Sequence, residues 1–261
     1  MNLVVATMLL FVSFSVNAEY PSSSTRFLEA ATLPYPPYEY MENGQPTGIA
    51  VEIIHEAIKR TGLGGVNFSF YPWRRAVLLA QHGKSDILFN AGKNEERQRW
   101  GNYVDSVLIL QKYVLFKRKD SMVEVSPDFT NVKDRAIAIR AGYLYGSGAF
   151  REALDNNSFN YVVLSESTKQ SIDLLFSGRV SVFVGDYLPV MHYIRENALY
   201  DRIGIVMEPD SNKNMIVLVW PTYILFSKER ATEQYVQRVN DAMEEMKADG
   251  FYQQVFDKYR Y

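Results

Sequence analysis

The sequence lacks cysteine and contains only three histidines among its 261 residues. The absence of cysteine excludes disulfide bonds, thiolate nucleophiles and the common cysteine-containing zinc sites. His55, His82 and His192 do not have the spacing of metal ligands. We therefore expect no metal and no cofactor, and a fold that depends on its apolar core.

An excess of positive charge is also missing. The 28 lysines and arginines are balanced by 30 aspartates and glutamates, so the formal net charge is −2. Nothing in this balance indicates a nucleic-acid partner or binding to an anionic membrane surface. Hydrophobic residues make up 47% of the chain and aromatic residues 14%, a composition typical of a folded globular protein.

The first 18 residues have the character of a signal peptide. Residues 3–16 are mostly apolar, and Val16-Asn17-Ala18 matches the small-x-small pattern of a cleavage site. No other stretch reaches the about 18 apolar residues that a membrane span needs. A buried N-terminal helix is the alternative. Cleavage after Ala18 would leave a mature chain beginning at Glu19 and predicts a periplasmic location.

Strands and helices are predicted to alternate through the first part of the mature chain. The periodicity of apolar residues predicts strands at 27–32, 66–70 and 86–89 and helices at 49–60 and 74–82. This β-α-β-α-β order predicts a parallel sheet with helices on both faces. Pro34, Pro36 and Pro37 predict an extended loop after the first strand, and Asn43-Gly44 predicts a turn.

A second unit repeats this rhythm. Strands are predicted at 136–139, 161–164 and 180–184, and helices within 142–156 and at 168–176 and 188–196. Long strands at 107–117 and 215–226 connect the units, and two helices at 231–247 and 250–259 end the chain. The sequence therefore predicts an α/β protein of two lobes, residues 19–116 with 223–261 and residues 117–222, joined at a hinge by two crossover strands.

Several short motifs, taken in order, resemble the family 3 extracellular solute-binding proteins of polar amino acid ABC transporters. The motifs span nearly the whole mature chain and are Tyr35-Pro36-Pro37-Tyr38-Glu39-Tyr40, Gly48-Ile49-Ala50-Val51-Glu52-Ile53, Gly83-Lys84-Ser85-Asp86-Ile87, Asn94-Glu95-Glu96-Arg97, Gly178-Arg179-Val180-Ser181-Val182, Val184-Gly185-Asp186 and Met246-Lys247-Ala248-Asp249-Gly250-Phe251-Tyr252. Each motif alone is weak, but their order and spacing together are specific. The resemblance implies a type II periplasmic binding protein fold, each lobe a mostly parallel sheet flanked by helices.

The same resemblance implies a binding function rather than catalysis. It implies a monomer that closes its lobes on a small polar ligand, an amino acid or a related zwitterion, and delivers it to the membrane permease of an ABC transporter. One alternative is an enzyme on the same fold similar to the cyclohexadienyl dehydratases. However, no Gly-x-Ser-x-Gly elbow, metal pattern or catalytic cysteine is present. The other alternative is a sensing module that presents its ligand to a membrane receptor.

Two oppositely charged residues match the family's positions for binding a zwitterion. Arg97 matches the arginine that holds the ligand carboxylate, a role suited to a planar guanidinium. The alternative is a surface arginine within a charged run. Asp186 matches the acid that holds the ligand ammonium, and as an alternative or additional role it could cap the helix predicted to follow it.

Aromatic residues match the positions that enclose the ligand side chain in relatives. Tyr35 and Trp73 match the pair that sandwiches this side chain, although core packing is the alternative for Trp73. Tyr38 is expected to support the loop from below. In the second lobe, Tyr143 and Tyr145 are expected to bring bulk to the pocket where relatives have hydroxyl residues.

Other positions depart from the family pattern. Thr32 stands where relatives that bind basic amino acids have an acid, which argues against a lysine or arginine ligand. A serine-rich loop of the family is replaced by Asn90-Ala91-Gly92, and we expect Asn90 to contact the ligand. The pocket is therefore predicted to be more aromatic than usual, and its ligand need not be a standard α-amino acid.

Overall fold

The computed structural model describes residues 27–62, 64–143 and 145–260. The predicted signal peptide, residues 1–18, lies outside the described residues. Within the described ranges, no helix is long and apolar enough to cross a membrane. The same ranges contain no group of three or more histidine, aspartate or glutamate side chains arranged to hold a metal ion.

The first parallel unit has the predicted order with additional short elements. It consists of β1 Leu28–Thr32, β2 Tyr40–Glu42, β3 Gln45–Thr47, α1 Ile49–Thr61, β4 Val66–Phe70, α2 Trp73–Gln81, β5 Ile87–Ala91, α3 Glu95–Trp100 and β6 Gly101–Tyr103. β1 pairs in parallel with both β4 and β5. The predicted β-α-β-α-β arrangement is therefore confirmed, and Asn43-Gly44 forms the turn between β2 and β3.

The second unit and the C-terminal helices complete the chain. They consist of β7 Ile109–Arg118, β8 Ala136–Arg140, α4 Ala149–Asp155, β9 Tyr161–Ser165, α5 Thr168–Phe176, β10 Val182–Asp186, α6 Tyr187–Glu196, β11 Ile203–Ile205, β12 Ile216–Ser227, α7 Glu233–Ala248 and α8 Phe251–Lys258. β8 pairs in parallel with both β9 and β10. This half is therefore also built on a parallel sheet.

The two long strands β7 and β12 connect the parallel units. They run antiparallel to each other, from the pair Ile216 and Val114 to the pair Thr222 and Ile109. β12 pairs with β5 of the first half, and β7 pairs with β10 of the second half. The predicted connection by two crossover strands is confirmed.

The hydrophobic core is divided in the same way as the strands. The first half buries residues from both ends of the chain, because Ile53 and Phe89 share a cluster with Ile224 and Met243. The second half buries residues between Tyr113 and Met215 in two further clusters. The lobe boundaries drawn from the sequence, between 116 and 117 and between 222 and 223, remain predictions.

The proline-rich segment after β1 forms a tight turn rather than the predicted extended loop. The backbone N–H of Tyr35 donates to the carbonyl of Glu39 at 2.6 Å, which closes the segment. Its carbonyls then cap α1, since the N–H groups of Ile49 and Ala50 donate to Pro37 and Tyr38. Gly48 permits this approach: its φ is 121°, and a Cβ there would collide with the Tyr38 carbonyl.

Candidate functional site

A cavity of about 230 Å³ lies between the two halves, where β1 and β5 end. Ligands of α/β proteins bind at this edge of a parallel sheet. A larger surface cavity of about 390 Å³ beside α7 includes no residue of the second half. The cavity between the halves is lined by Tyr35, Trp73, Asn90 and Arg97 from the first half, Gln111, Tyr113, Trp220 and Thr222 from the crossover strands, and Gly142 and Tyr143 from the second half.

Arg97 lines this cavity from the first turn of α3, a helix that the sequence analysis did not predict. Asn94 begins the helix by accepting a hydrogen bond from the Arg97 backbone N–H at 2.8 Å. The guanidinium lies 5.2 Å from the centre of the Trp73 ring and donates one hydrogen bond, at 2.8 Å, to the carbonyl of Gly92. Among the described residues it forms no ion pair with a carboxylate, so it can accept an anionic guest.

Gly92 is a site residue that the sequence analysis did not single out for a role. Its carbonyl accepts hydrogen bonds from Arg97 and from the Tyr103 hydroxyl, each at 2.8 Å. A Cβ at this position would lie 2.7 Å from the indole nitrogen of Trp220, closer than side chains tolerate. Gly92 therefore allows Trp220 to close one wall of the cavity while its carbonyl positions Arg97. A glycine directly after a buried strand was the available signal.

Asn90 lies within β5 and not in the loop where the sequence analysis placed it. The hydrophobic run ends at Phe89, but backbone pairing with β12 continues to Ala91. Asn90 has a φ of 54°, which asparagine tolerates better than most residues. Its amide nitrogen donates to Glu39 at 2.7 Å, and its amide oxygen accepts from Thr222 at 2.5 Å. Within the described ranges the second N–H of the amide has no acceptor, so it is available for a ligand.

Asp186 does not line this cavity and is not brought together with Arg97. It ends β10 and is 2% exposed, beside a small void of about 20 Å³ whose walls include Tyr35, Tyr113 and Tyr143. These three tyrosines also line the main cavity, so Asp186 lies behind them. Asp186 occupies the N-cap position of α6, but its side chain makes no capping hydrogen bond. Burial raises its pKa to about 8.

Tyr38 contacts Asp186 directly, and the sequence analysis missed this role. Tyr38 is 1% exposed, and its hydroxyl donates to Asp186 Oδ1 at 3.0 Å. The second oxygen of Asp186 is buried without a hydrogen-bond partner. This hydrogen bond links the turn after β1 to the end of β10 in the second half. Because 148 positions separate the two residues, no local pattern could have revealed it.

Tyr143 and Tyr145 differ in their placement. Tyr143 lines the cavity, and the guanidinium carbon of Arg140 lies 5.7 Å from the centre of its ring. Tyr145 is 2% exposed in the core of the second half, where its hydroxyl accepts from the Arg140 backbone N–H at 2.7 Å. The expectation that Tyr145 adds bulk to the main cavity is wrong, because the core takes up its ring. Thr32 is also buried, and its hydroxyl donates to the Phe89 carbonyl.

Known proteins resemble this chain in sequence and in fold. The profile of the family "Bacterial extracellular solute-binding proteins, family 3" matches residues 28–260. The L-cystine-binding protein TcyA of Bacillus subtilis (strain 168) is 24% identical over 227 residues, which cover 86% of this chain and 77% of TcyA.

Two solved structures show the same fold. An ancestral arginine-binding protein bound to arginine superposes with a TM-score of 0.67 at 21% identity, covering 90% of this chain and 98% of that one. The probable amino-acid ABC transporter extracellular-binding protein ytmK from Bacillus subtilis gives a TM-score of 0.75 at 15% identity, covering 90% and 97%. The predicted type II periplasmic binding protein fold is confirmed.

Proposed function

The chain belongs to the bacterial extracellular solute-binding proteins of family 3, and on that basis we propose that it captures a small amino-acid-like ligand between its lobes. The ligand carboxylate binds Arg97, and the ligand body packs between Tyr35 and Trp73 of the first lobe and Tyr143 of the second. Asn90 donates its remaining N–H to the ligand. Asp186 of the second lobe lies behind Tyr143 and does not contact the ligand. Its hydrogen bond from Tyr38 of the first lobe stabilises the closed arrangement.

One observation carries this proposal: the Arg97 guanidinium, which has no carboxylate partner within the described part of the chain, faces a cavity to which both halves contribute walls. An arginine held in place by a carbonyl and an aromatic ring keeps further N–H groups for a carboxylate. Because residues of both halves surround the ligand, binding favours the closed arrangement by the difference in affinity between closed and open forms.

We also propose a cellular setting, of which the family supports the extracellular location and the role in transport. The protein is exported, loses residues 1–18 and works as a monomer in the periplasm. It delivers its ligand to the permease of an ABC transporter, which recognises the closed shape. TcyA, as its name states, binds L-cystine, and a ligand of the amino acid class is therefore the first to test.

The two lobes that close on the ligand are residues 19–116 with 223–261 and residues 117–222.

The binding site is tested by the Arg97→Ala variant. A thermal-shift screen across amino acids and related small acids first identifies a ligand, and calorimetry then measures its affinity. We expect Arg97→Ala to weaken binding about 100-fold or more, because a charge-assisted bidentate contact contributes on the order of 3 kcal/mol. Arg99→Ala, which removes an exposed arginine two residues away, is the matched control and should bind as the wild type does. Equal affinities of the two variants would refute the assignment of Arg97.

An enzymatic role is tested separately. Two buried acids, Glu39 and Asp186, lie near the cavity, and a dehydratase would use such acids for an elimination. We propose that they are not catalytic and that incubation with prephenate or arogenate gives no product. Turnover that disappears in Asp186→Asn would instead assign the chain to enzymes.

A further inference from the structure

The charged side chains that line the cavity are cations, Lys93 and Arg97. This restricts the chemical class of the ligand more narrowly than membership of the family does. Resting on the function proposed above, we infer that the preferred ligand is a small carboxylic acid with a flat or apolar body and no ammonium group.

The cavity offers positive charge. Arg97 has no carboxylate partner among the described residues, and Gly92 and Trp73 hold its guanidinium in place. Lys93 also lines the cavity, although its amine lies 3.3 Å from the exposed carboxylate of Asp105. Arg140 of the second half lies against the ring of Tyr143. A carboxylate in the cavity therefore meets favourable charge from Arg97 and Lys93, whereas Arg140 lines the neighbouring small void.

The cavity offers no negative charge. No aspartate or glutamate is among the residues that line it, as far as the chain is described. The amide and hydroxyl side chains that line it are those of Tyr35, Asn90, Asn94, Gln111, Tyr113, Tyr143 and Thr222. An ammonium group desolvated here would have no opposite charge, which makes its burial costly.

The nearest acids already bond to the protein. Glu39 is fully buried and accepts a hydrogen bond from Asn90, which stands between it and the cavity. Asp186 accepts from the Tyr38 hydroxyl and lies behind the tyrosines shared by the two voids. Burial raises the pKa of both carboxyl groups, that of Asp186 to about 8, so neutral pH favours the uncharged form of Asp186, and burial disfavours the charged form of Glu39. Asp186 Oδ1 thus accepts from Tyr38, and its unpartnered Oδ2 is buried beside the small void and does not line the cavity in which a ligand ammonium would lie.

The walls suit a flat or apolar ligand body. Trp73 and Tyr35 from the first half face the cavity together with Trp220 and Tyr143. Aromatic rings offer large apolar contact area at low entropic cost and stack well on flat groups. A cavity of about 230 Å³ accommodates one small molecule of this kind.

Compounds that differ only in the amino group test the inference. Calorimetry compares L-phenylalanine with 3-phenylpropanoate and L-leucine with 4-methylpentanoate, using 2-phenylethylamine as the amine that lacks a carboxylate. We expect each acid to bind about tenfold or more tightly than its amino acid, and the amine not to bind. Arg97→Ala should abolish binding of the acids.

A charge introduced into the cavity should reverse the preference. Gln111→Glu conserves side-chain size and can still accept the hydrogen bond that the Tyr113 hydroxyl donates at 3.2 Å, but it loses the hydrogen bond that the Gln111 amide donates to Asn90 at 3.3 Å. Unlike Glu39 and Asp186, the new carboxyl group lines the cavity, so a ligand ammonium can contact it and stabilise its charged form. This variant should favour the amino acid of each pair. Gln98→Glu adds the same charge on the exposed surface of α3 and should leave the wild-type preference unchanged.

The outcomes separate the two proposals. Amino acids that bind wild type as tightly as their acids, or more tightly, would overturn the inference and leave the proposed function standing. Acids that bind more tightly, with the preference reversed in Gln111→Glu alone, would support it. If the folded protein binds no acid and no amino acid of a broad screen, the proposed function fails and the inference fails with it.

Discussion

At the residue scale, Asp186 shows that the burial of a side chain, and not its type alone, decides whether it carries a charge. The sequence places an aspartate at the end of a buried strand, which predicts a charged partner for a ligand. In the folded chain its carboxyl group is 2% exposed and bonded to the Tyr38 hydroxyl. The loss of solvation raises its pKa to about 8, so much of its charge is absent at neutral pH.

The buried acid makes stability depend on pH. Between its ordinary pKa of 3.8 and the folded value of about 8, folded Asp186 keeps a proton that the unfolded chain has released. Stability therefore falls as pH rises through this window, by on the order of a few kcal/mol from this group. Asp186→Asn should show a flatter profile when unfolding free energies are measured in urea at pH 4, 6 and 8. Asp201→Asn, at a fully exposed site, should follow the wild type, and parallel profiles for Asp186→Asn would contradict the expectation.

Individual site residues were predictable from the sequence to different degrees. Arg97, Trp73, Tyr35 and Tyr143, which the sequence predicts at one site, lie around one cavity, and their contacts with a ligand are part of the proposal. Tyr38 could not be identified, because its partner is distant in the chain. Tyr145 could not be separated from Tyr143 by its type, since only packing decides which ring is buried.

At the scale of elements, the segment from β5 to α3 concentrates most of the site in a few residues. Asn90 belongs to the strand, Gly92 turns the chain against Trp220, and Asn94 begins the helix that carries Arg97. The hydrophobic pattern predicted only the apolar start of β5. α3 was missed because it is short and its charged residues lack an apolar stripe, although an asparagine followed by two glutamates is a helix-start signal.

Removing the cap of α3 should weaken binding more than it weakens the fold. Asn94→Ala leaves the Arg97 backbone N–H without its partner, which costs about 1 kcal/mol of stability. Because the guanidinium depends on this turn for its position, we expect ligand affinity to fall by about tenfold or more. Asn94→Ser restores the cap and should recover both quantities in calorimetry and thermal unfolding. Full affinity in Asn94→Ala would show that the turn does not position Arg97.

At the scale of the whole molecule, the fold was the most predictable feature. Alternating strands and helices, two long strands and two final helices indicated two parallel units joined twice, and the strand pairing agrees. Periodicity identifies such elements because each buries one face. Periodicity could not predict β2, β3, β6 or β11, because a strand of three residues is too short to show a pattern. It also could not predict the contacts between the two halves.

The Tyr38–Asp186 hydrogen bond should bias the protein toward the closed arrangement even without ligand. A hydrogen bond of this kind contributes about 1 kcal/mol, so Tyr38→Phe should shift the ratio of open to closed molecules about fivefold toward open. Small-angle scattering should then give a larger radius of gyration than wild type without ligand and the same radius with saturating ligand. Tyr71→Phe removes a half-buried hydroxyl that, among the residues described, forms no hydrogen bond to the second half, and it is the control. An unchanged radius for Tyr38→Phe would exclude a bias of this size.

The division of the core also determines the order in which the molecule can be completed during synthesis. Tyr113 to Met215, which supply the buried residues of the second half, are translated as one uninterrupted stretch. The first half still lacks Ile224, Phe226, Val239 and Met246 at that moment, and these come from β12 and α7. The first half is therefore translated first but completed last. Part of the apolar surface of its sheet stays exposed until β12 and the C-terminal helices have been synthesised.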